Sequence, residues 1–222
     1  MPPSAARECL LFLIPLAVVS QLLGAGFYFG GSNLCLAGFF VTLVLMAAVA
    51  AFFRDPDRQV PEDEQLVVAA ADGLIVGIED MTESPFGPGE WKRIAIYLSV
   101  FDVHVNRMPV SGKVLDTFYK PGKFHDVRDP RCSLANEYLA WLIECPAATG
   151  GKVVVRQIAG LVARRIVAFS SKGDELERGH RFGMIRFGSR TEIYLPPDVE
   201  VLVTMGQRVW GAATPIARLP HK

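Results

Sequence analysis

The sequence predicts an α+β fold, with a single β-rich domain preceded by a two-helix transmembrane hairpin. Three observations carry this. No Asp, Glu, Lys, Arg or His occurs in the 45 residues from Cys9 to Phe53. The remainder reads as short strands rich in Val, Ile and Tyr, separated by Gly-containing turns. That remainder shows no helix–strand alternation of the kind that builds a parallel doubly wound sheet. The segregation explains an otherwise awkward composition, a mean hydropathy of +0.28 in a chain that is 21% charged.

The uncharged run divides at Gly30-Gly31-Ser32-Asn33, a turn-forming cluster. Cys9–Phe29 and Leu34–Phe53 each match the ~20 residues a helix needs to cross a hydrocarbon core about 30 Å thick. A helix satisfies its own backbone groups in lipid, so two adjacent spans form a hairpin. Residues 1–53 are the anchor, with spans at about 9–29 and 34–53. Pro15 and Gln21 weaken the first span, while Gly24, Ala25 and Gly26 permit close packing against the second. A cleaved signal peptide fits poorly, because only Arg7 charges the start, no A-x-A site is clear and a second span follows at once. Arg7, Arg54 and Arg58 flank the outer ends and the connecting loop is uncharged, which puts the larger domain on the cytoplasmic side.

In residues 54–222 the expected strands are Leu66–Ile78, Arg93–Leu98, Gly112–Tyr119, Lys152–Ile158, Leu161–Phe169, Thr191–Leu195 and Val199–Met205, with a helical or mixed stretch around Leu134–Ile143. Equal numbers of basic and acidic residues, 23 each, argue against a nucleic-acid protein. The four cysteines form no C-x-x-C pair and the four histidines are far apart, so neither a disulfide framework nor a metal site is indicated. A phosphate-cradling G-x-x-x-x-G-K-[ST] loop and an H-E-x-x-H helix are missing, and Gly188-Ser189 lacks the G-x-S-x-G spacing of a nucleophile elbow.

Three polar residues then stand out in apolar, strand-like surroundings: Asp72 before Gly73, His104 in Val-Phe-Asp-Val-His-Val-Asn-Arg, and Ser189 after Gly188. Singly, each reads as structural: a turn, a satisfied strand histidine and a bulge. Together with their neighbours they read differently. Phe53-Arg-Asp-Pro, Ala71-Asp-Gly73, Phe101-Asp-Val-His-Val-Asn-Arg-Met-Pro-Val-Ser-Gly112, Asn136-Glu137 and Gly183-Met-Ile-Arg-Phe-Gly-Ser-Arg190 resemble, in order and spacing, the phosphatidylserine decarboxylase family in its short form. Longer members carry Leu-Gly-Ser-Thr where this chain has Phe-Gly-Ser-Arg, and Arg190 looks like the short-form variant.

The resemblance implies a precursor that cuts itself between Gly188 and Ser189, leaving a β chain of residues 1–188 and an α chain of 189–222 that stay together as a heterodimer, with a higher oligomer possible. It also implies that Ser189 becomes a covalent pyruvoyl group, which forms a Schiff base with the amine of a phospholipid substrate and needs no metal. His104 is then the base or acid, and Asp72 orients it. A serine hydroxyl needs such a base to become nucleophilic, and a conjugated carbonyl can take up the electrons left by CO2. The implied reaction turns phosphatidylserine into phosphatidylethanolamine and CO2, in phospholipid biosynthesis at the cytoplasmic face of the inner membrane. Two alternatives differ in kind: a membrane-anchored, non-catalytic β-barrel that only binds or scaffolds, and the same chemistry on another serine phospholipid. The first leaves Gly188-Ser189 without a purpose.

Overall fold

A computed structural model describes residues 4–129, 131–148, 151–161, 165–186 and 188–220. It divides the chain into two units, Met1–Asp55 and Pro56–Lys222.

The first unit is two helices, α1 (Ala5–Gly30) and α2 (Asn33–Phe52). Ser4 caps α1, its side chain accepting from Arg7 N at 3.3 Å, and so the helix begins before the uncharged run does. Gly31 ends it, returning its N–H to Phe27 O at 2.8 Å. Where α1 meets α2, a Cβ on Gly26 would sit 3.1 Å from Cys35 Sγ, so the small residues admit the neighbouring helix. Both helices are long and apolar enough to cross a membrane, with mean hydropathies of 2.1 and 2.5. Their large side chains, among them Leu22, Phe29, Leu34 and Val44, face outward. Such exposure is unfavourable in water and natural in lipid.

The second unit is β-rich. Its strands are β1 (Leu66–Val68), β2 (Gly73–Ser84), β3 (Gly87–Leu98), β4 (Val105–Arg107), β5 (Gly112–Lys120), β6 (Tyr138–Glu144), β7 (Lys152–Ala159), β8 (Ile166–Ala168), β9 (Glu175–Leu176), β10 (Arg181–Ile185), β11 (Ser189–Leu195), β12 (Glu200–Val201), β13 (Arg208–Val209) and β14 (Pro215–Arg218). A helical turn, α3 (Cys132–Ala135), precedes β6. Eight strands make one antiparallel sheet in the order β13-β2-β3-β11-β7-β6-β5-β9, and two three-stranded sheets, β1-β14-β12 and β4-β10-β8, accompany it. The main core draws on all three: Ile94, Ile96, Trp141, Val155 and Ile193 from the large sheet, Phe182 from β10, and Val67 and Ile216 from β1 and β14. Trp141 and Phe182 meet edge to face at 4.8 Å.

Four expected elements differ, the simplest being Val199–Met205, of which Glu200–Val201 is strand. Residues 66–78 are two strands, interrupted at Ala69–Asp72, where Ala69 and Ala70 give their backbone bonds to Thr214, Ala212 and Arg107. The helical stretch around Leu134–Ile143 is confined to α3, and Tyr138–Glu144 is a strand paired on both sides, with β5 and β7. An apolar run buried on both faces has no alternation to distinguish strand from helix. In the expected strand Leu161–Phe169, residues 162–164 lie outside the described ones and Ile166–Ala168 is strand.

The centre of the large sheet is β11, and its alternate residues face opposite ways. Thr191, Ile193 and Leu195 point to the core side. Arg190, Glu192 and Tyr194 point to the other. Glu192, fully buried, lies opposite Arg156 in register. Its carboxylate accepts from Arg156 Nε (3.0 Å), Ser133 Oγ (2.7 Å) and Tyr194 OH (3.0 Å), with Arg190 Nε 2.9 Å and Arg93 Nη1 3.6 Å away. Burial alone pushes the carboxyl up, but Arg156, Arg190 and Arg93, with Ser133, hold it down at about 2. Because the folded value lies below the ordinary 4.5, the stabilisation is complete above about pH 4.5 and is lost as pH falls toward 2. Glu192→Gln leaves buried guanidinium groups uncompensated. We expect it to lower stability at neutral pH by roughly 3–5 kcal/mol and to flatten the loss between pH 4.5 and 2, read by denaturant melts across that range.

Candidate active site

Three connections converge at one end of β11. Ser189, its first residue, is paired with Leu98 of β3 on one side and Ala159 of β7 on the other. The chain leaves each of these neighbours at the same level, through the 99–104 and 160–165 connections. The residue before Ser189 leaves the sheet as well. Gly188 takes a left-handed φ of 66°, which a Cβ would strain.

His104 receives that departing residue. The Gly188 N–H donates to His104 Nε2 at 3.2 Å, and the other ring nitrogen, Nδ1, lies 2.9 Å from the carbonyl oxygen of Asp102. A carbonyl can only accept and an amide N–H can only donate, so the pair of bonds fixes a neutral imidazole protonated at Nδ1. The ring is fully buried. Its backbone is fixed too: Asn106 Nδ2 donates to His104 O at 3.2 Å, while Asn106 Oδ1 accepts from Thr191 Oγ1 at 2.7 Å, tying β4 to β11.

Asp102 shapes the turn ahead of His104. Its carboxylate accepts from Ser99 N (2.8 Å), Ser99 Oγ (2.7 Å) and Arg208 Nη1 (2.6 Å). Burial pushes this carboxyl up, yet the Ser99 and Arg208 bonds outweigh it and hold it below the ordinary range. The turn therefore stays charged and closed at neutral pH.

The Ser189 hydroxyl is buried with no hydrogen-bond partner among the described residues, and so is the side-chain amide of Gln157 two positions from Ala159 on β7. A buried hydroxyl without a partner costs about 1–3 kcal/mol, so it calls for an explanation. The Gly188 carbonyl next to it rests on Gly160, where an added Cβ would come within 2.3 Å of the oxygen. Asn136, from the Asn136-Glu137 pair, braces this corner: Nδ2 donates to Ala159 O (2.9 Å) and His125 O (2.8 Å), and Oδ1 accepts from His125 N (2.8 Å).

Of the residues singled out by sequence, the structure thus brings Gly188, Ser189 and His104 together. Asp72 is engaged elsewhere. Its carboxylate accepts from Arg58 Nη2 (2.6 Å) and Gly211 N (2.8 Å), and the ring nitrogen it was expected to hold faces the Asp102 carbonyl. Both Asp72 oxygens thus serve the turn at the head of β2, one bound to Arg58 and the other to the Gly211 backbone. Asp102 and Gly160 were not singled out in advance. Asp102 lay in plain view two residues before His104, whereas nothing local marks Gly160. Among the described residues no three His, Cys, Asp or Glu side chains gather to hold a metal ion.

Residues 45–217 match the family model for phosphatidylserine decarboxylase. The chain belongs to the phosphatidylserine decarboxylase family. It is 46% identical over 210 residues to the phosphatidylserine decarboxylase proenzyme of Geobacter metallireducens, covering 95% of this chain and 91% of that one. The proenzyme of Geobacter sulfurreducens is 50% identical over 182 residues, covering 82% and 81%. As a member of this decarboxylase family the chain is a carboxy-lyase.

Gly160→Ala tests how the Gly188 carbonyl is held. The methyl group must displace that oxygen by about 1 Å, a misplacement that costs a reaction on the order of a hundredfold. We expect any cleavage at 188–189 to slow by that factor, followed by intact mass, with the melting temperature lowered only modestly.

Proposed function

We propose that this chain is made as a precursor, cuts itself between Gly188 and Ser189, and then decarboxylates phosphatidylserine to phosphatidylethanolamine and CO2. The observation that carries the reading is the buried Ser189 hydroxyl, without a hydrogen-bond partner among the described residues, beside a left-handed Gly188 whose N–H is held by His104. A buried hydroxyl left without a partner makes sense if it is consumed.

In the cut, His104 Nε2 takes the Ser189 Oγ proton once its bond to the Gly188 N–H yields. The oxygen attacks the Gly188 carbonyl carbon, the peptide C–N bond breaks, and the proton passes to the Ser189 nitrogen, leaving an ester and a free amine. Loss of the Ser189 Cα proton then breaks the Cβ–O bond and releases Gly188 as a carboxylate. Water replaces the nitrogen of the resulting dehydroalanine, giving ammonia and a pyruvoyl group at residue 189. The Ser189 setting fits that group, because the hydroxyl carbon is enclosed and no neighbouring bond has to be broken to change it.

The pyruvoyl group supplies a carbonyl for the substrate amine and an electron sink for the carbon that loses CO2. The residues around it do the rest. Gly188, no longer joined to Ser189, frees His104 Nε2, which now delivers a proton to the substrate carbon. The Asp102 carbonyl keeps the ring in the same tautomer through both duties. Asp72, through Arg58 and Gly211, holds the segment entering the domain and the Gly211 turn, and acts on the site from there. The heterodimer of residues 1–188 and 189–222 works at a membrane held by the two spans, with the domain on the cytoplasmic face as Arg7, Arg54 and Arg58 favour.

Intact-mass analysis of the purified protein tests the cut. Ser189→Ala should give one chain of 24.3 kDa, where the unaltered protein gives two. His104→Ala should slow the cut about a hundredfold or more. Full cleavage in the Ser189→Ala protein, or normal cleavage and turnover in the His104→Ala protein, overturns the assignments.

A further inference from the structure

Two connections leave the sheet on either side of Ser189, and both carry exposed large apolar side chains near the sheet. In the first, Val100 and Phe101 are 48% and 83% exposed, and in the second Leu161 is 65% exposed. A single exposed apolar side chain needs no explanation. These tips are set apart by their placement and by the stiffness of one of them. Leu98 and Ala159 are the two strand partners of Ser189, so the tips stand to either side of the reacting residue. The Val100-Phe101 turn is stapled at its base, with Asp102 N bonded to Ser99 O (3.0 Å) and the Asp102 carboxylate bonded back to Ser99 and across to Arg208. An aromatic ring held outward on a closed turn is costly in water unless something covers it.

The charges around the tips indicate what that is. Arg165 closes the second connection, and Arg186 lies two residues before Gly188. Arg186 and Arg165 are joined through their backbones, Arg186 N to Arg165 O at 3.2 Å. Arg208, behind the first tip, has a half-exposed side chain. Asp102, the acid within these connections, is buried and bonded to Arg208. Apolar tips with arginines behind them match a bilayer surface whose head groups are anionic and whose acyl chains lie just beneath.

We propose that Val100, Phe101 and Leu161 dock the catalytic domain onto an anionic bilayer, with the mouth of the Ser189 site at the membrane surface. This rests on the lipid substrate named under the proposed function, and deepens it. The spans already keep the domain near the bilayer, so the tips set orientation more than attachment. A lipid head group then reaches residue 189 without its chains leaving the membrane. The turn that presents Phe101 is also the turn whose Asp102 carbonyl holds His104, so the experiment has to separate docking from damage to the base.

The full-length protein is reconstituted in phosphatidylcholine–phosphatidylglycerol vesicles with bromine-labelled acyl chains. Phe101→Trp should add emission that the bromines quench about twofold or more beyond the unaltered protein, since bromine acts only at contact range; no added quenching overturns the proposal. In parallel, Phe101→Ser with Leu161→Ser is assayed on phosphatidylserine in vesicles and on a short-chain phosphatidylserine below its micelle concentration. Vesicle turnover should fall about tenfold, the worth of one buried aromatic side chain, with monomer turnover changed less than about twofold and the cut at 188–189 intact by mass. Equal losses on both substrates would mean the tips act through His104, and no loss on vesicles would mean they do not dock; either result overturns the proposal. Should the unaltered protein decarboxylate neither substrate, the proposed function fails, while the quenching result still decides the docking.

Discussion

The Gly188–Ser189 junction is gripped on both sides, and most of the domain can be read as the apparatus that grips it. Ser189 is fixed by two strand partners in the middle of an eight-stranded sheet, so it cannot drift toward any group. Gly188 is outside the sheet, with its N–H on His104 and its carbonyl against Gly160. One peptide bond thus joins a residue the sheet holds to a residue the histidine holds. A left-handed glycine is what lets the chain turn between the two within a single step.

The histidine is as firmly placed as the serine. It belongs to the short segment between β3 and β4, which has few strand bonds of its own. Its position comes from the Asp102 turn on one side and from the Asn106–Thr191 bond on the other. Thr191 sits two residues along β11 from Ser189, on the same face. The strand that carries Ser189 therefore also positions His104, and a shift of one takes the other with it. Such common mounting is how a site keeps reacting atoms aligned without a ligand present.

Much of this was legible in sequence, and what was not has a physical cause. Two spans stood out because charge is absent over a length few soluble folds can bury. Strands β2, β3, β5, β7 and β11 were visible from β-branched runs between glycine turns. Tyr138–Glu144 was not, since a strand covered on both faces shows no alternation. Gly188, Ser189 and His104 were found through their motifs. The partner of His104 could not be, because a backbone carbonyl leaves no trace in residue type. Asp72 drew attention for being a carboxylate in an apolar stretch, but its partners in the structure are Arg58 and Gly211. Gly160 is a glycine in a loop until the Gly188 oxygen is seen resting on it.

Arg190 and Glu192 bear on what a break at 188–189 does to the fold. Residues 189–195 are paired along their length with β3 and over six positions with β7. From Arg190 onward, none of those bonds involves an atom of the Gly188–Ser189 peptide. On the face away from the core, the guanidinium of Arg190 is held against the buried Glu192, which in turn engages Arg156 of β7 and Ser133 of α3. A new terminus created at residue 189 is thus anchored one residue in by a buried ion pair and on both sides by strands. Fraying, which loosens most chain ends, is opposed at that position. The sheet that restrains Ser189 would restrain residue 189 in the same way after the proposed cut.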